Sequence, residues 1–318
     1  MNCLIIGAGG IGCYYGARLL EAGHGVTFVA RGAHLQAMRQ QGLRVEHETL
    51  HFSSAVDALS LEALLAERGC ADYDLIILTL KSGATADWLA QSQRWLAEAQ
   101  TPLLSLQNGV DNEALIAAQI GAERTLGGLA VRIGGHIIAP GYVEARGPGQ
   151  VVIGQWPATA ADDSRLDPLA ATFNGAGIPT RVTPHIRHEL WKKLVINNGV
   201  NPLSALTGLD TRRLTTDPVL GATVYRMMQE TARAARADGV ELTPAEVEEM
   251  FALISSFDAI KSSMLVDREK GRPLELEAIS GAVIRRCRAL GEEAPWTETV
   301  ERLLQLDIRP PQWLPLPG

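Results

Sequence analysis

Three polar residues stand at helical spacing in a segment that is otherwise apolar. Lys193, Asn197 and Asn201 follow one another at intervals of four, so in a helix they share one face. A lysine and two amides are costly to bury without partners, and such a row often marks a site that receives a polar ligand. The alternative is structural. Lys192 or Lys193 could extend to solvent while the asparagines satisfy backbone groups at a helix end.

The helix that carries this row has marked ends. Thr183 is a good N-cap and Pro184 suits the first helical position, whereas Asn201 precedes Pro202 and should be pushed out of helical geometry. The pattern therefore predicts a helix from about 184 to about 200. Apolar side chains cover most of its circumference, as is typical of a helix packed on several sides.

A second chemical motif opens the chain. The apolar segment 2–6 runs directly into a glycine-rich turn and then into a helical pattern that ends near residue 22. The turn consists of Gly7, Ala8, Gly9, Gly10, Ile11 and Gly12. Between a strand and a helix, G-x-G-x-x-G predicts a dinucleotide site, in which the backbone approaches a pyrophosphate held at the helix N-terminus. The alternative is a glycine-rich turn that binds nothing.

The residue after the next strand bears on which dinucleotide is bound. Residues 26–30 are predicted to form a strand, and Arg31 follows them about 20 residues past the glycines, where an NAD site usually offers Asp or Glu. Arginine can pair with a ribose 2′-phosphate through charge-assisted hydrogen bonds, so the sequence favours NADP(H). The alternative is an arginine that is simply solvated.

Two further strands should end at the same edge of the sheet. Residues 75–80 form a continuous apolar run followed by Lys81, and residues 103–106 lead into a turn that contains Asn108. Ligands in open α/β sheets bind beyond the carboxyl ends of the strands. Lys81 and Asn108 are therefore expected to face the crevice of the glycine turn, although a loop lysine is more often solvated.

The remaining pattern is β-rich before the central helix and helical after it. A pair of short strands is expected at 43–54. Strands at 129–133, 135–139, 142–144 and 151–153 are expected to continue the sheet in antiparallel fashion, followed by a helix at 162–176 and a last strand at 178–182. Later helices are expected at 219–237, 244–256, 275–290 and 297–307, before a proline-rich tail. The prediction is an α/β Rossmann-type N-terminal domain, residues 1–183, followed by an all-α C-terminal domain, residues 184–318.

Composition limits the classes of function. The 318 residues are 46% apolar and 20% charged, with a formal net charge of −7 and no basic block, which argues against a nucleic-acid partner. The four cysteines show no metal-ligand spacing, so we expect reduced packing residues and no metal. Without a signal-peptide pattern or an apolar run of ~18 residues, the sequence predicts a soluble, cytoplasmic protein with no membrane partner.

Taken together, several motifs resemble the ketopantoate reductase family, the 2-dehydropantoate 2-reductases. They are GAGGIG at the N-terminus, Arg31, QNG at 107–109, ELWKKLVINNGVNPL, SSMLVD and GRPLELE, and their order spans residue 1 to about 290. The resemblance implies a Rossmann domain followed by a helical domain, with NADPH and a 2-keto acid held in the cleft between them.

The resemblance also implies roles in catalysis and substrate binding. Lys193 falls on the proton donor to the carbonyl oxygen, and Glu275 on an essential glutamate near the nicotinamide ribose and the lysine. Asn197, Asn201 and Ser263 fall on substrate contacts, Ser263 at the carboxylate. These roles fit the chemistry, because a carbonyl that gains hydride needs a proton donor. The structural alternatives are that the paired serines cap a helix and that Glu275 is a first-turn carboxylate.

On the cofactor side, the resemblance implies contacts from Lys81, Asn108 and Glu275, with Asn108 also reaching the substrate. A backbone contact to the cofactor should fall near Ile133. Two departures bear on the substrate: Ile260 stands where the family often has asparagine, and LEAISG at 276–281 replaces the common IDYING. One hydrogen bond to the acid is therefore expected to be missing.

These inferences predict NADPH-dependent reduction of 2-dehydropantoate to pantoate, a step of pantothenate and coenzyme A biosynthesis. Two alternatives stay open: a paralogue that reduces another branched 2-keto acid, and a catalytically silent NADPH-binding sensor. The retained Lys193 and Glu275 count against the sensor, because a binding module needs neither. Helical second domains often pair, which leaves a homodimer and a monomer as open alternatives.

Overall fold

The computed structural model describes residues 1–157 and 166–307, in two compact units. The first unit is Met1–Arg187, and the second begins at His188. The strands, all in the first unit, are β1 (Asn2–Ile6), β2 (Gly25–Val29), β3 (Leu43–His47), β4 (Leu50–Ser54), β5 (Asp57–Leu59), β6 (Leu75–Leu78), β7 (Leu103–Ser105), β8 (Thr125–Val131), β9 (Gly134–Ala139), β10 (Tyr142–Arg146), β11 (Gln150–Gln155) and β12 (Thr180–Val182). Its helices are α1 (Gly10–Glu21), α2 (Gly32–Gln41), α3 (Leu61–Glu67), α4 (Thr85–Leu96), α5 (Asn112–Ile120) and α6 (Asp167–Gly175).

Eight strands form the main sheet, in the order β12-β11-β8-β7-β6-β1-β2-β5. All neighbours are parallel except β8 and β11, which run antiparallel. The central strands β1 and β6 are buried on both faces, with Ile5 opposite Phe28 on one side and Ile77 on the other. Continuous apolar runs are what a parallel sheet covered by helices requires. The predicted Rossmann-type α/β architecture is confirmed.

A separate four-stranded sheet, β4-β3-β10-β9, corrects one expectation. The segments at 135–139 and 142–144 do not continue the main sheet. The β3–β4 hairpin leaves β3 with a free edge, and β10 joins it in parallel, with Val143 opposite Val45. Both valines share the buried core cluster with Tyr14 of α1. The apolar face of this small sheet is thus buried against α1, a contact between distant segments that local pattern does not encode.

Smaller differences concern element ends. β5 was not predicted, because three residues carry too little periodicity, and β8 begins four residues before the predicted start at 129. The predicted helix at 162–176 appears as α6, and its first residues, 162–165, lie outside the described residues, as does the proline-rich tail. The cysteines are free and buried, in agreement with their interpretation as packing residues. Burial raises the pKa of the Cys3 thiol to about 12 and that of Cys287 to about 11.

The second unit is helical, as predicted. Its helices are α7 (Ile186–Thr207), which begins in the last two residues of the first unit, α8 (Thr211–Thr216), α9 (Pro218–Ala235), α10 (Pro244–Ser255), α11 (Ser263–Glu269), α12 (Ala282–Ala289) and α13 (Pro295–Gln305). α10 begins with a capping box formed by Thr243 and Glu246. In the part of the chain that the structure describes, no helix is both long and apolar enough to cross a membrane.

The central helix α7 continues through Pro202, so its predicted end near 200 is wrong. A proline inside a helix costs about 3 kcal/mol, because it removes one backbone donor and crowds the preceding turn. Burial outweighs this cost: Val200, Pro202 and Leu203 are all buried. The neighbouring Asn198 is fully buried, and its amide donates to Thr231 and Thr297. Tertiary packing therefore overrides the local signal.

The predicted helix at 275–290 is divided. Its first turn is a π-helical segment, Glu277–Gly281, and the α-helical part is α12. The wider turn is visible in the hydrogen bond from the Gly281 N–H to the Leu276 carbonyl, 2.9 Å long and five residues apart. π-turns are rare and frequently lie at functional sites.

Candidate functional site

The glycine turn folds back tightly between β1 and α1. The N–H groups of Gly7 and Ala8 donate to the Val29 carbonyl at 3.2 and 2.9 Å, and Gly7 has a φ of +101°. A Cβ on Gly7 would lie 2.8 Å from the Leu80 backbone nitrogen, and one on Gly12 would lie 2.5 Å from the Gly7 carbonyl oxygen. Both positions therefore require glycine.

The middle of the turn is open. A Cβ on Gly9 would meet only the Gly7 carbonyl oxygen, at 4.0 Å. Gly9 is the N-cap of α1 and supplies no side-chain cap, so the first N–H groups of the helix face outward unblocked by a side chain. Open space in front of uncapped N–H groups at the positive end of a helix fits a pyrophosphate.

The backbone of a distant part of the chain packs against this end of α1. A Cβ built on Gly10 would come within 2.1 Å of the Gly135 carbonyl carbon, and one on Gly135 within 2.7 Å of the Gly10 carbonyl carbon. The start of β9, just after the connection that contains Ile133, is thus packed directly on the start of α1. Ile133 is partly buried against the core of the first unit.

The loops after β6 and β7 are joined by buried hydrogen bonds. Thr79 Oγ1 donates to the Gly7 carbonyl at 2.7 Å, and Gln107 Nε2 donates to the Leu80 carbonyl at 2.9 Å. Gln107 Nε2 also donates to Thr85 Oγ1 at 2.8 Å, and the Ser82 hydroxyl donates to the Asn108 carbonyl. The glycine turn, the loop of Lys81 and the loop of Asn108 are therefore tied together at one edge of the sheet.

Sequence reasoning did not assign Thr79, Thr85 or Gln107 a role. The available signal was the presence of polar residues at the ends of apolar strands, at positions where the fold buries them. Gln107 is 3% exposed and Thr85 is fully buried, so their hydrogen bonds hold the loops on which Lys81 and Asn108 stand.

Arg31 lies just after β2, where it is the N-cap of α2. It is exposed, and its guanidinium has no hydrogen-bond or ion-pair partner among residues 1–157 and 166–307. Val29, the last residue of β2, accepts hydrogen bonds from the N–H groups of Gly7 and Ala8. Arg31 therefore follows the end of the strand to which the glycine turn is hydrogen-bonded, and its positive charge is available to a ligand.

In the second unit, α7 carries Lys193, Asn197 and Asn201 along one face. Lys193 and Asn197 are partly exposed, and Asn201 is buried at 7% exposure. Because the helix does not break at Pro202, Asn201 keeps helical geometry and continues the row. Adjacent residues of a helix differ by ~100° in direction, so Lys192 lies on another face.

That other face of α7 contacts α10 through two ion pairs. His188 Nε2 lies 2.7 Å from Glu246 Oε1, and Lys192 Nζ lies 3.3 Å from Glu249 Oε2. Burial would raise the pKa of Glu246, but hydrogen bonds from Thr243 and His188 outweigh it and hold that pKa at about 2. Lys192 is thereby engaged by α10.

The paired serines have different environments. Ser262 is buried and caps α11, accepting a hydrogen bond from the Leu265 N–H at 3.1 Å, whereas Ser263 is exposed at the first helical position. The capping role therefore belongs to Ser262. α11 is hydrogen-bonded to the end of α7, because the Arg268 guanidinium donates to the carbonyls of Ala205 and Leu206.

Ile260, just before these serines, is held by its backbone. Its carbonyl accepts from the Thr211 N–H at 3.0 Å, and its own N–H donates to Thr211 Oγ1 at 3.4 Å. Its side chain is 47% exposed. An exposed apolar side chain thus stands on a hydrogen-bonded backbone, three residues before Ser263.

Glu275 is partly buried and lies just before Leu276, the N-cap of the π-turn, and its carbonyl accepts a hydrogen bond from the Ile279 N–H at 3.1 Å. The following α12 packs on α7 with the Arg286 guanidinium 5.2 Å from the centre of the Trp191 ring. Each unit therefore gathers its own set of predicted site residues. Gly7–Gly12, Arg31, Lys81, Asn108 and Ile133 lie at one edge of the sheet, and the others lie on α7 or on segments next to helices packed on it.

Comparisons with known proteins extend over nearly the whole chain. A family model described as ketopantoate reductase PanE/ApbA matches residues 3–158, and one described as its C-terminal part matches residues 185–307. The 2-dehydropantoate 2-reductase of Pyrococcus horikoshii is 30% identical over 295 residues, which cover 93% of each chain. The crystal structure of 2-dehydropantoate 2-reductase from Geobacter metallireducens is 30% identical, covers 97% of this chain and 100% of its own, and has a TM-score of 0.84. D-mandelate dehydrogenase with NADH and anilino(oxo)acetate, 23% identical with a TM-score of 0.86, covers 96% of this chain and 98% of its own and shares the fold.

Proposed function

Because this chain belongs to the ketopantoate reductase family, a family of oxidoreductases, we propose that it reduces 2-dehydropantoate to pantoate with NADPH, in pantothenate and coenzyme A biosynthesis. The observation that carries the proposal is the polar row on α7. Lys193, Asn197 and Asn201 share a face, while the neighbouring Lys192 is engaged by Glu249 on α10. This arrangement supports Lys193 as the lysine that serves the reaction.

The first unit is proposed to hold the dinucleotide. The uncapped N–H groups at the start of α1 would bind the pyrophosphate, and Arg31 would pair with the 2′-phosphate of the adenosine ribose. Lys81, Asn108, Glu275 and the backbone near Ile133 are proposed as further cofactor contacts. A bound nicotinamide supplies the hydride that reduces the keto carbon.

The second unit is proposed to hold the keto acid. The amides of Asn197 and Asn201 can bind keto and carboxylate oxygens without adding charge, and Asn108 is proposed to contribute from the first unit. Ser263 has a hydroxyl that is not used as a cap, so it can donate to the substrate carboxylate. These groups orient the carbonyl for reduction.

Lys193 is proposed to supply the proton. As negative charge develops on the carbonyl oxygen, the ammonium at Nζ donates a hydrogen bond and then its proton, which avoids a free alkoxide. Glu275 is proposed to orient that ammonium through its carboxylate. Protonated lysine is regenerated from solvent before the next turnover.

One observation favours a second candidate, the reduction of another branched 2-keto acid. Ile260 presents an exposed apolar side chain three residues before Ser263. A hydroxylated substrate would bind more tightly if a polar side chain stood there and made a hydrogen bond to it. An apolar wall discriminates by only ~1–3 kcal/mol per methylene, so both acids could be accepted.

A panel of 2-keto acids, assayed with NADPH and with NADH by the loss of nicotinamide absorbance, tests the proposal. We expect the highest kcat/KM for a branched 2-keto acid, with 2-dehydropantoate first and NADPH preferred. Lys193→Ala serves as the control for chemistry at this site. No turnover of any branched 2-keto acid by protein that binds NADPH would contradict the proposal and favour a cofactor-binding sensor.

A further inference from the structure

His34 lies on α2, three residues after Arg31, and both of its ring nitrogens contact other elements. The Gly141 N–H, in the turn between β9 and β10, donates to Nδ1 at 3.0 Å. Nε2 lies 3.6 Å from the Cys13 sulfur of α1, and that sulfur is 3.4 Å from the Ala8 carbonyl oxygen. One imidazole thus joins α2, the small sheet and the glycine turn.

These contacts require one protonation state. Nδ1 accepts a hydrogen bond, so the neutral ring carries its proton on Nε2, which faces Ala8 and Cys13. Burial lowers the pKa of His34, opposed by a hydrogen bond to the Ala8 backbone. Protonation of Nδ1 would place two donors against each other at Gly141 and remove that contact.

The pair of Cys13 and His34 is not a nucleophile and its base. Cys13 is fully buried, and burial raises the pKa of its thiol well above its ordinary value, so it stays protonated. Charged residues on the elements that contact the ring include Arg31, the N-cap of its own helix, and Arg44, whose backbone N–H donates to the Gly141 carbonyl at 2.8 Å and whose guanidinium stacks on Tyr142. Among these groups the imidazole is therefore the one that can gain a proton as the pH falls, and burial shifts that protonation towards lower pH.

We propose that His34 is a positioning residue for the dinucleotide: in its neutral form it holds the Ala8 backbone and the β9–β10 turn in the geometry that receives the pyrophosphate. Protonation loosens this hold, so dinucleotide affinity falls in acid. The inference rests on the proposed binding of a nicotinamide dinucleotide by the first unit. It assigns His34 no part in the chemical step.

The test measures the Kd of NADP⁺ by calorimetry from pH 5.0 to 8.0 for the native chain, His34→Asn and His34→Ala. Asparagine can accept from the Gly141 N–H through Oδ1 and does not titrate, but its shorter side chain does not replace the contact made by Nε2. The 2′-phosphate itself titrates near pH 6, so the slope of His34→Asn is the reference. We expect the native Kd to rise roughly 2- to 10-fold more than that of His34→Asn on acidification, the effect of about one hydrogen bond.

One further variant, together with His34→Ala, keeps the result interpretable. His24→Asn, at the far end of α1, should keep the native pH dependence, and His34→Ala should bind weakly at every pH while kcat at saturating cofactor stays near normal. Parallel slopes for the native chain and His34→Asn would overturn the inference. Failure of the native chain to bind any dinucleotide at pH 8 would instead refute the proposed function.

Discussion

Replacing each of the two adjacent lysines of α7 in turn tests whether the proposed proton donor is Lys193 and not Lys192. Lys192 pairs with Glu249, whose side chain is 64% exposed, and an exposed pair of this kind contributes about 0.2–1 kcal/mol to stability. Lys192→Ala should therefore lower the stability slightly and leave kcat within about threefold of native. Lys193→Ala removes a general acid, which is worth roughly 10²–10⁴-fold in rate, or about 2.7–5.4 kcal/mol at 1.36 kcal/mol per decade.

The assay is the steady-state rate of 2-dehydropantoate reduction with NADPH, with urea denaturation of each variant to verify folding. For Lys193→Ala we expect kcat to fall far more than KM rises, with a near-native free energy of unfolding. The reasoning fails if Lys192→Ala loses as much activity as predicted for Lys193→Ala while Lys193→Ala remains active.

Three other changes have expected outcomes of their own. Arg31→Ala should raise the KM for NADPH much more than that for NADH, with exposed Arg94 on α4 as the matched control; equal changes would remove Arg31 from the 2′-phosphate site. Ile260→Asn should sharpen the preference for 2-dehydropantoate over its analogue without the 4-hydroxyl, measured as kcat/KM for both acids; a native enzyme that already rejects the analogue by about 10⁴-fold would refute this. The pKa of Glu246 is lowered to about 2 in the folded chain, so its contribution is present above its ordinary value of 4.5 and is lost as the pH falls towards 2. Glu246→Gln should therefore cost about 1–2 kcal/mol at pH 7, allowing for partial solvation, and almost nothing near pH 2, whereas Glu249→Gln should cost less; urea midpoints that change equally at both pH values would contradict this.

Local signals predicted the elements that depend on local causes. The strand, glycine turn and helix at the start of the chain followed from apolar runs and from glycine positions, and β1 has the predicted bounds, Asn2–Ile6. The small sheet was not predicted because β10 pairs with β3, about 100 residues away in the chain. The sequence pattern of a strand does not specify which strand it pairs with. The helix end predicted before Pro202 was wrong for the same reason, because burial on several sides stabilises a helix that local backbone preference would end.

The candidate site was predictable as a set of residue types but not in its supporting contacts. The spacing of the polar row on α7 was visible in the sequence, yet the choice between Lys192 and Lys193 depends on Glu249, 57 residues away. Which of the two serines, Ser262 or Ser263, caps α11 depends on where that helix begins. Which residue touches which is decided by tertiary packing, and no pattern within one element contains that information.

The contact between Gly10 and Gly135 has a consequence for how this chain can change by mutation. Each glycine occupies the space that a methyl group on the other would need, since the two backbones lie against each other. Substitution at one position cannot be relieved by trimming the other, because neither has a side chain left to lose. The start of β9 can therefore vary in evolution only by moving away as a whole, and a directed-evolution library that leaves both positions as glycine should retain far more folded members than one that randomises either.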